Sequence, residues 1–466
     1  MRFTFAGFFL AYGLASLALA RRILPDAWAL VATILMLFQG YALVMSNLLF
    51  TEIPFVLISV CLILLIDGKE EKPSTWKKDG LAFLLATAGF ALRSAGVVLL
   101  IAWPLAHLLH GRWRRSLITS LMAVIPVLLW QLHVKSVQQS REYQEPAYAY
   151  QRAPYQFYNV PYAENALLVD PFTPELGEIN KLTLIKRMFS NALDIPLAFG
   201  ESTCTVYGYC LWAIERTQDY FLGKVLVPGQ AASKLLVVIG LSAFIGCLLV
   251  AWKHYYVLGL VVVGTAGLVC MTPWPGQFAR YLVPIVPFVA IGHTTFIKES
   301  VFWILKLLGH PGGKGQLIAV PPFALVLLLQ VYGITKIYAS NELPGNSSDK
   351  WSESMFYYDK FWDNWQKASV WIVSDASPGD IVATISSHYF FLQTGMKAVY
   401  PPMEVDPEKA RRLMEEVPIR YFIADETVHL DVARRYGLPA MESNPENWQL
   451  VFQIDETRVF KNTGIK

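Results

Sequence analysis

Charge is scarce in this chain: Asp, Glu, Lys and Arg make up only 16% of its 466 residues, against 54% hydrophobic residues. With a mean hydropathy of +0.39, that composition excludes disorder, collagen-like repeats and an ordinary cytosolic enzyme. A surplus of one sign is also missing. The formal net charge is +3, too small to argue for nucleic acid, and no nucleic-acid partner is expected. Cysteines number five and follow no metal-ligand spacing. Cys61, Cys247 and Cys270 lie in apolar stretches and read as small hydrophobes. Cys204 and Cys210 share a polar segment, where a disulfide and two free thiols are both open readings. The phosphate loop G-x-x-x-x-G-K-[ST], the zinc pair H-E-x-x-H and the nucleophile elbow G-x-S-x-G are all absent. The eight histidines are scattered, and His388 reads as an ordinary polar residue.

What is present is length without charge. A hydrocarbon core about 30 Å thick needs roughly 20 apolar residues per helix. Residues 3–20 meet this and end at Arg21 and Arg22. That pair stands where a signal-peptide cleavage site would need small residues, so a retained helix is expected. Residues 27–66 carry one charge, Glu52, and fit two spans turning near 45–47. Residues 80–109 carry one charge besides histidine, Arg93, and fit two short helices meeting at it. Further spans are expected at 116–134, 233–251, 255–271, 281–297 and 317–335. Short basic loops stay in the cytoplasm, so Arg112, Arg114 and Arg115 orient the set. Everything after 335 is then external, as are residues 135–232, while Glu52, Arg93 and Arg280 fall toward the external face.

Four regions follow: N-terminal transmembrane helices at 1–134, a large external loop at 135–232, C-terminal transmembrane helices at 233–335 and a soluble α/β domain at 336–466. The loop contains nine tyrosines, and its stretches 182–197 and 207–222 read as short helices on the membrane surface. The last region carries 14 basic and 19 acidic side chains, against 25 and 17 in the rest. Strands are expected at 380–386 and 419–424, and a hairpin at 449–454 and 458–460. Asp406 before Pro407 starts a helix running to about Glu416.

Ionisable groups inside apolar runs are costly and mark candidate sites. Glu52 precedes Ile53 and Pro54. It is either a group that binds a cation, takes a proton or orients a substrate, or a helix-end carboxylate in water. Arg93 cannot lose its charge and needs an anion or water. A lipid phosphate bound through two hydrogen bonds and simple snorkelling to headgroups are the alternatives. Arg280 is flanked by two prolines on each side. It is either a phosphate ligand at fixed depth or an interfacial anchor beside Trp274 and Tyr281.

Together, Thr51-Glu52-Ile53-Pro54-Phe55, Arg93-Ser94-Ala95-Gly96 and Arg280-Tyr281-Leu282-Val283-Pro284 with Pro287 resemble the GT-C superfamily of membrane glycosyltransferases. The branch most similar is the protein mannosyltransferase and aminoarabinose transferase group. Ser377-Pro378-Gly379-Asp380-Ile381-Val382, Thr394-Gly395 and Arg420-Tyr421-Phe422-Ile423-Ala424-Asp425 resemble the external C-terminal domain of bacterial members. The resemblance implies a polytopic α-helical membrane protein of the bacterial inner membrane with a small C-terminal extracytoplasmic α/β domain. It implies transfer of a sugar from a polyprenyl-phosphate donor to an acceptor on the external face. Glu52 would be the catalytic carboxylate, with Arg93, Arg280 and Tyr281 binding substrate. The sugar, the acceptor and any need for a divalent metal stay open. The family's acidic residue in a first external loop has no counterpart here, and the topology count leaves Met1 outside. An N-terminal helix and loop are therefore expected to be missing from this sequence. The alternative from another class is a noncatalytic membrane protein that binds lipid-linked sugar or an assembly partner; a transporter fits less well, because the ionisable groups gather toward one face.

Overall fold

Among the described residues, four apolar runs become helices long enough to cross a hydrocarbon core: Phe3–Ile23, Trp113–Gln138, Pro228–Trp252 and Val283–Leu307. The computed structural model describes residues 2–47, 51–68, 75–145, 166–308, 318–340, 360–426 and 431–465. Its first seven helices are α1 (Arg2–Ile23), α2 (Asp26–Leu37), α3 (Gly40–Asn47), α4 (Glu52–Ile66), α5 (Trp76–Leu92), α6 (Val97–Leu109) and α7 (Trp113–Gln138). Next come α8 (Lys181–Thr203), α9 (Tyr207–Leu222), α10 (Pro228–Trp252), α11 (Tyr256–Met271), α12 (Val286–Leu307) and α13 (Val320–Ser340).

The run 27–66 does turn near 45–47, where α3 ends at Asn47 before α4 starts at Glu52, and a further break at Phe38 and Gln39 divides its first half into α2 and α3. Gln39 is the reason: its Oε1 accepts from the Ala42 amide at 2.8 Å, and its Nε2 donates to the carbonyl of Glu201 at 3.2 Å. A side chain that satisfies free backbone groups ends one helix and starts the next. The counterpart of 255–271 is an apolar helix of less than spanning length, Tyr256–Met271, whereas 317–335 largely falls in the 21-residue α13. The 80–109 run does split at Arg93, between α5 and α6.

The long helices are inverted relative to those of soluble proteins. On α7, Ser116, Thr119, Ala123 and Pro126 are buried, whereas Leu117, Leu121, Leu128 and Leu132 are exposed. Small and polar groups inside with leucine outside suit a lipid surround. Backbones approach where glycine permits: a methyl group on Gly246 of α10 would overlap the carbonyl of Gly292 on α12. Hydrogen bonds fix the register. Gln330 of α13 donates to the carbonyls of Leu35 at 2.8 Å and Thr203 at 3.0 Å. Asp67 accepts from the amides of Val257 and Leu258, both at 2.9 Å, and so satisfies the start of α11.

Asp79, fully buried on α5, contacts His107 Nε2 of α6 at 3.0 Å and Arg115 of α7 at 2.5 Å. The Arg115 guanidinium also covers the Trp76 ring at 4.8 Å. Three helices are thereby joined through one carboxylate.

The chain forms two compact units: Met1–His133 with Lys186–Ala339, and Val134–Ile185 with Ser340–Lys466. The stretch expected as one loop at 135–232 thus divides at Ile185. Its first half belongs with the C-terminal residues, while α8 and α9 belong mainly with the membrane helices. Residues 146–165 of that loop and 341–359 of the expected soluble domain lie outside the described residues.

The second unit holds a five-stranded sheet of order β2-β1-β3-β5-β4, made of β1 (Ile381–Ala383), β2 (Ala398–Val399), β3 (Ile419–Ala424), β4 (Trp448–Ile454) and β5 (Thr457–Asn462). The pairs β1·β2 and β1·β3 are parallel, while β3·β5 and β4·β5 are antiparallel. Strand alternation divides its core. Tyr421 and Ile423 pack with Trp365, Ala368 and Ile372 of α14 (Lys360–Asp375). Phe422 and Ala424 pack on the other face with Ala410 and Met414 of α15 (Pro407–Glu415). As expected, Asp406 caps that helix, accepting from Glu408 and Lys409. Residues 166–179 are built into the same unit: Arg435 donates to Thr173 at 2.8 Å and Glu175 at 2.7 Å, and Tyr436 to Glu175 at 2.8 Å.

Candidate functional site

Glu52 is the first residue of α4, where amide groups face outward and negative charge is favoured. Its side chain is only 2% exposed. Arg93 ends α5 in an extended conformation, φ −149° and ψ 137°, before a 3-10 turn at Ser94–Gly96. Gly96 makes that turn fit, because a methyl group there would overlap the carbonyl of Gly89 and the nitrogen of Phe90. The fold-back carries Arg93 to Glu52: its terminal nitrogen lies 2.6 Å from Glu52 Oε1.

Arg280 sits on the short helix Phe278–Tyr281, between turns at Pro275–Gln277 and Val283–Ile285. Its Nε lies 3.7 Å from the same Oε1. Two of the four candidate residues, Arg93 and Arg280, therefore converge on one oxygen atom of a third, Glu52. Tyr281 is the next residue on the Arg280 helix and is partly buried.

The burial is graded. Glu52 is enclosed, Arg93 is 18% exposed and Arg280 36% exposed, so the arginines form the accessible side of the cluster. The other carboxylate oxygen, Oε2, is buried and accepts no hydrogen bond from any described residue. Two guanidiniums around one carboxylate leave a net positive charge whose forks match a phosphate group. A hydroxyl brought to Oε2 would meet an acceptor without competitors.

Sequence reasoning missed Tyr41, Glu201 and Tyr209. Tyr41 of α3 lies within electrostatic reach of Arg280, Glu201 and Tyr209. Glu201 is held by the amide of Tyr207 at 2.8 Å. The available signal was a lone carboxylate after the apolar stretch 195–199 of α8. Cys204 and Cys210 are both buried free thiols here.

Among the described residues no group of three or more His, Cys, Asp or Glu side chains gathers at metal-binding range, and Oε1 of Glu52 is held by the arginines.

The sequence matches no family profile and no curated protein. Among solved structures, it is similar to the crystal structure of the Archaeoglobus fulgidus oligosaccharyltransferase in the apo form, at 12% identity and a TM-score of 0.40. That alignment covers 99% of this chain and 63% of the other, so the chain spans less than two thirds of the oligosaccharyltransferase's length.

Proposed function

We propose that this chain is a GT-C-type membrane glycosyltransferase that moves a sugar from a polyprenyl-phosphate donor to an acceptor on the external face, with the C-terminal unit outside the cytoplasm. The observation that carries the reading is the buried Glu52 carboxylate with Arg93 and Arg280 around it. It is supported by the resemblance of the three motifs that supply those residues and by a helical unit built for lipid. In this mechanism the donor phosphate takes up the guanidinium forks of Arg93 and Arg280. The acceptor hydroxyl attacks the anomeric carbon, the bond from that carbon to the phosphate oxygen breaks, and the departing phosphate keeps the electron pair. Oε2 of Glu52 receives the hydroxyl proton. The arginines stabilise charge as it develops on the leaving oxygen, and Tyr281 borders the donor.

The test is sugar transfer from radiolabelled polyprenyl-phosphate sugars by the purified full chain in proteoliposomes. Glu52→Gln should lower turnover by about 10²-fold or more, and Arg280→Ala should weaken both donor binding and turnover. Donor binding by the wild type without turnover would make it a noncatalytic binder and overturn the proposal.

A further inference from the structure

Helix α9 and the last turns of α13 border a cavity of about 650 Å³, away from the Glu52 cluster in sequence and composition. Its wall is formed by Trp212, Glu215, Arg216 and Asp219 from α9 and by Tyr332 and Lys336 from α13. Spacings of three and four place the first set on one helix face, and four places the second pair on another. The helices are held firmly. A methyl group on Gly333 would overlap the Thr205 hydroxyl, and Gln330 bonds to the Thr203 carbonyl. Lys336 stands over the Tyr332 ring at 5.5 Å. None of the four charged side chains is ion-paired with another described residue. Among the described residues the wall is thus electrically balanced, with two cations and two carboxylates facing the cavity.

Beside it the chain turns outward an apolar edge: Tyr220 is 82% exposed, Phe221 75% and Val227 66%. The edge is ordered. Gly223 ends α9 in a left-handed conformation, φ 61°, and the Leu226 amide donates to Gln218 at 2.7 Å. Aromatic residues next to exposed aliphatic groups and a polar wall mark a membrane surface.

We propose that this cavity binds the headgroup of a zwitterionic membrane phospholipid bearing a primary amine, phosphoethanolamine on a glycerolipid. Arg216 and Lys336 hold the phosphate, and Glu215 and Asp219 accept hydrogen bonds from the ammonium. Trp212 and the 220–227 edge cover the glycerol and the first acyl carbons. A purely anionic lipid would leave both carboxylates facing its charge. A quaternary ammonium has no N–H to offer them. The proposal does not use the transfer chemistry and rests only on the placement of the helical unit in a membrane.

Native mass spectrometry of the delipidated full chain tests it, with equal amounts of dioleoyl phosphatidylethanolamine, phosphatidylcholine and phosphatidylglycerol. One phosphatidylethanolamine should be retained about tenfold more than either competitor. Glu215→Gln with Asp219→Asn should turn that preference toward phosphatidylglycerol, and Arg216→Gln with Lys336→Gln should remove retention. Single variants Glu215→Gln and Lys336→Gln carry the test if a pair fails to fold, each reducing retention in the same direction. Equal binding of phosphatidylglycerol by the wild type, or unchanged retention in the variants, would overturn the proposal. So would release of the lipid by free phosphoethanolamine, which would assign the cavity to a soluble ligand.

Discussion

The guanidinium of Arg93 lies 2.6 Å from Oε1 of Glu52, joining the end of α5 to the first turn of α4. That contact depends on the sharp turn after Arg93, and the turn depends on Gly96 lying against the backbone of Gly89.

Gly96→Ala should therefore cost about 1–3 kcal/mol of stability, because the added methyl meets backbone that cannot yield easily. Thermal unfolding in detergent measures it. The same variant should lose sugar transfer beyond what its lower melting temperature explains, since Arg93 is displaced with the turn.

Arg93→Lys keeps the charge and loses the planar fork that reaches Glu52 and a phosphate together. Donor-dependent turnover should fall by at least about tenfold, while stability changes little. Kinetics at saturating and limiting donor separate binding from chemistry. Full activity in this variant would show that only the charge matters at residue 93.

Asp79→Asn removes the buried carboxylate that joins α5, α6 and α7 and leaves a half-buried guanidinium facing a neutral amide. Breaking a buried ion pair from one side costs about 3–5 kcal/mol. A melting experiment on the variant should show that loss, partly recovered when Arg115→Met is added.

Asp375 offers a pH-dependent test in the second unit. Its carboxyl is held below the usual carboxylate range, first by the hydrogen bond from the Lys461 ammonium and then by the Tyr421 hydroxyl. A carboxylate lowered on folding adds stability that is complete above its unfolded value of about 3.9 and disappears as pH falls through the folded one. The stability gap between wild type and Asp375→Asn should be constant near neutral pH and close below about pH 4. Because the pair is partly exposed, the gap should stay under about 1 kcal/mol. A gap that widens on acidification would contradict the contact.

Much of this arrangement was readable from local pattern. Arg93 alone in a run of apolar residues announced the break between α5 and α6, since a fixed charge suits a helix end better than a helix centre. Asp406 before Pro407 announced α15 through capping. Sequence pattern also identified Glu52, Arg93 and Arg280 individually, but not that they converge, because their contacts span sequence separations no periodicity records. Gln39 was invisible as a breaker, since its effect comes from a partner on α8. The Asp79 cluster was missed for a similar reason: only folding brings His107 and Arg115 to Asp79. The division at Ile185 likewise depends on Arg435 and Tyr436 choosing Thr173 and Glu175.

That last pairing sets an order of events during synthesis. Thr173 and Arg435 are separated by 262 residues, so a ribosome adding roughly 5–20 residues per second leaves the earlier segment waiting for tens of seconds. Throughout that interval α8 to α13 are being made, and the half-finished surface around Phe172 has nothing to settle on. Completion of this unit therefore waits for the segment that carries Arg435 and Tyr436, and a truncation before Arg435 should yield a protein that chaperones and proteases recognise as unfinished.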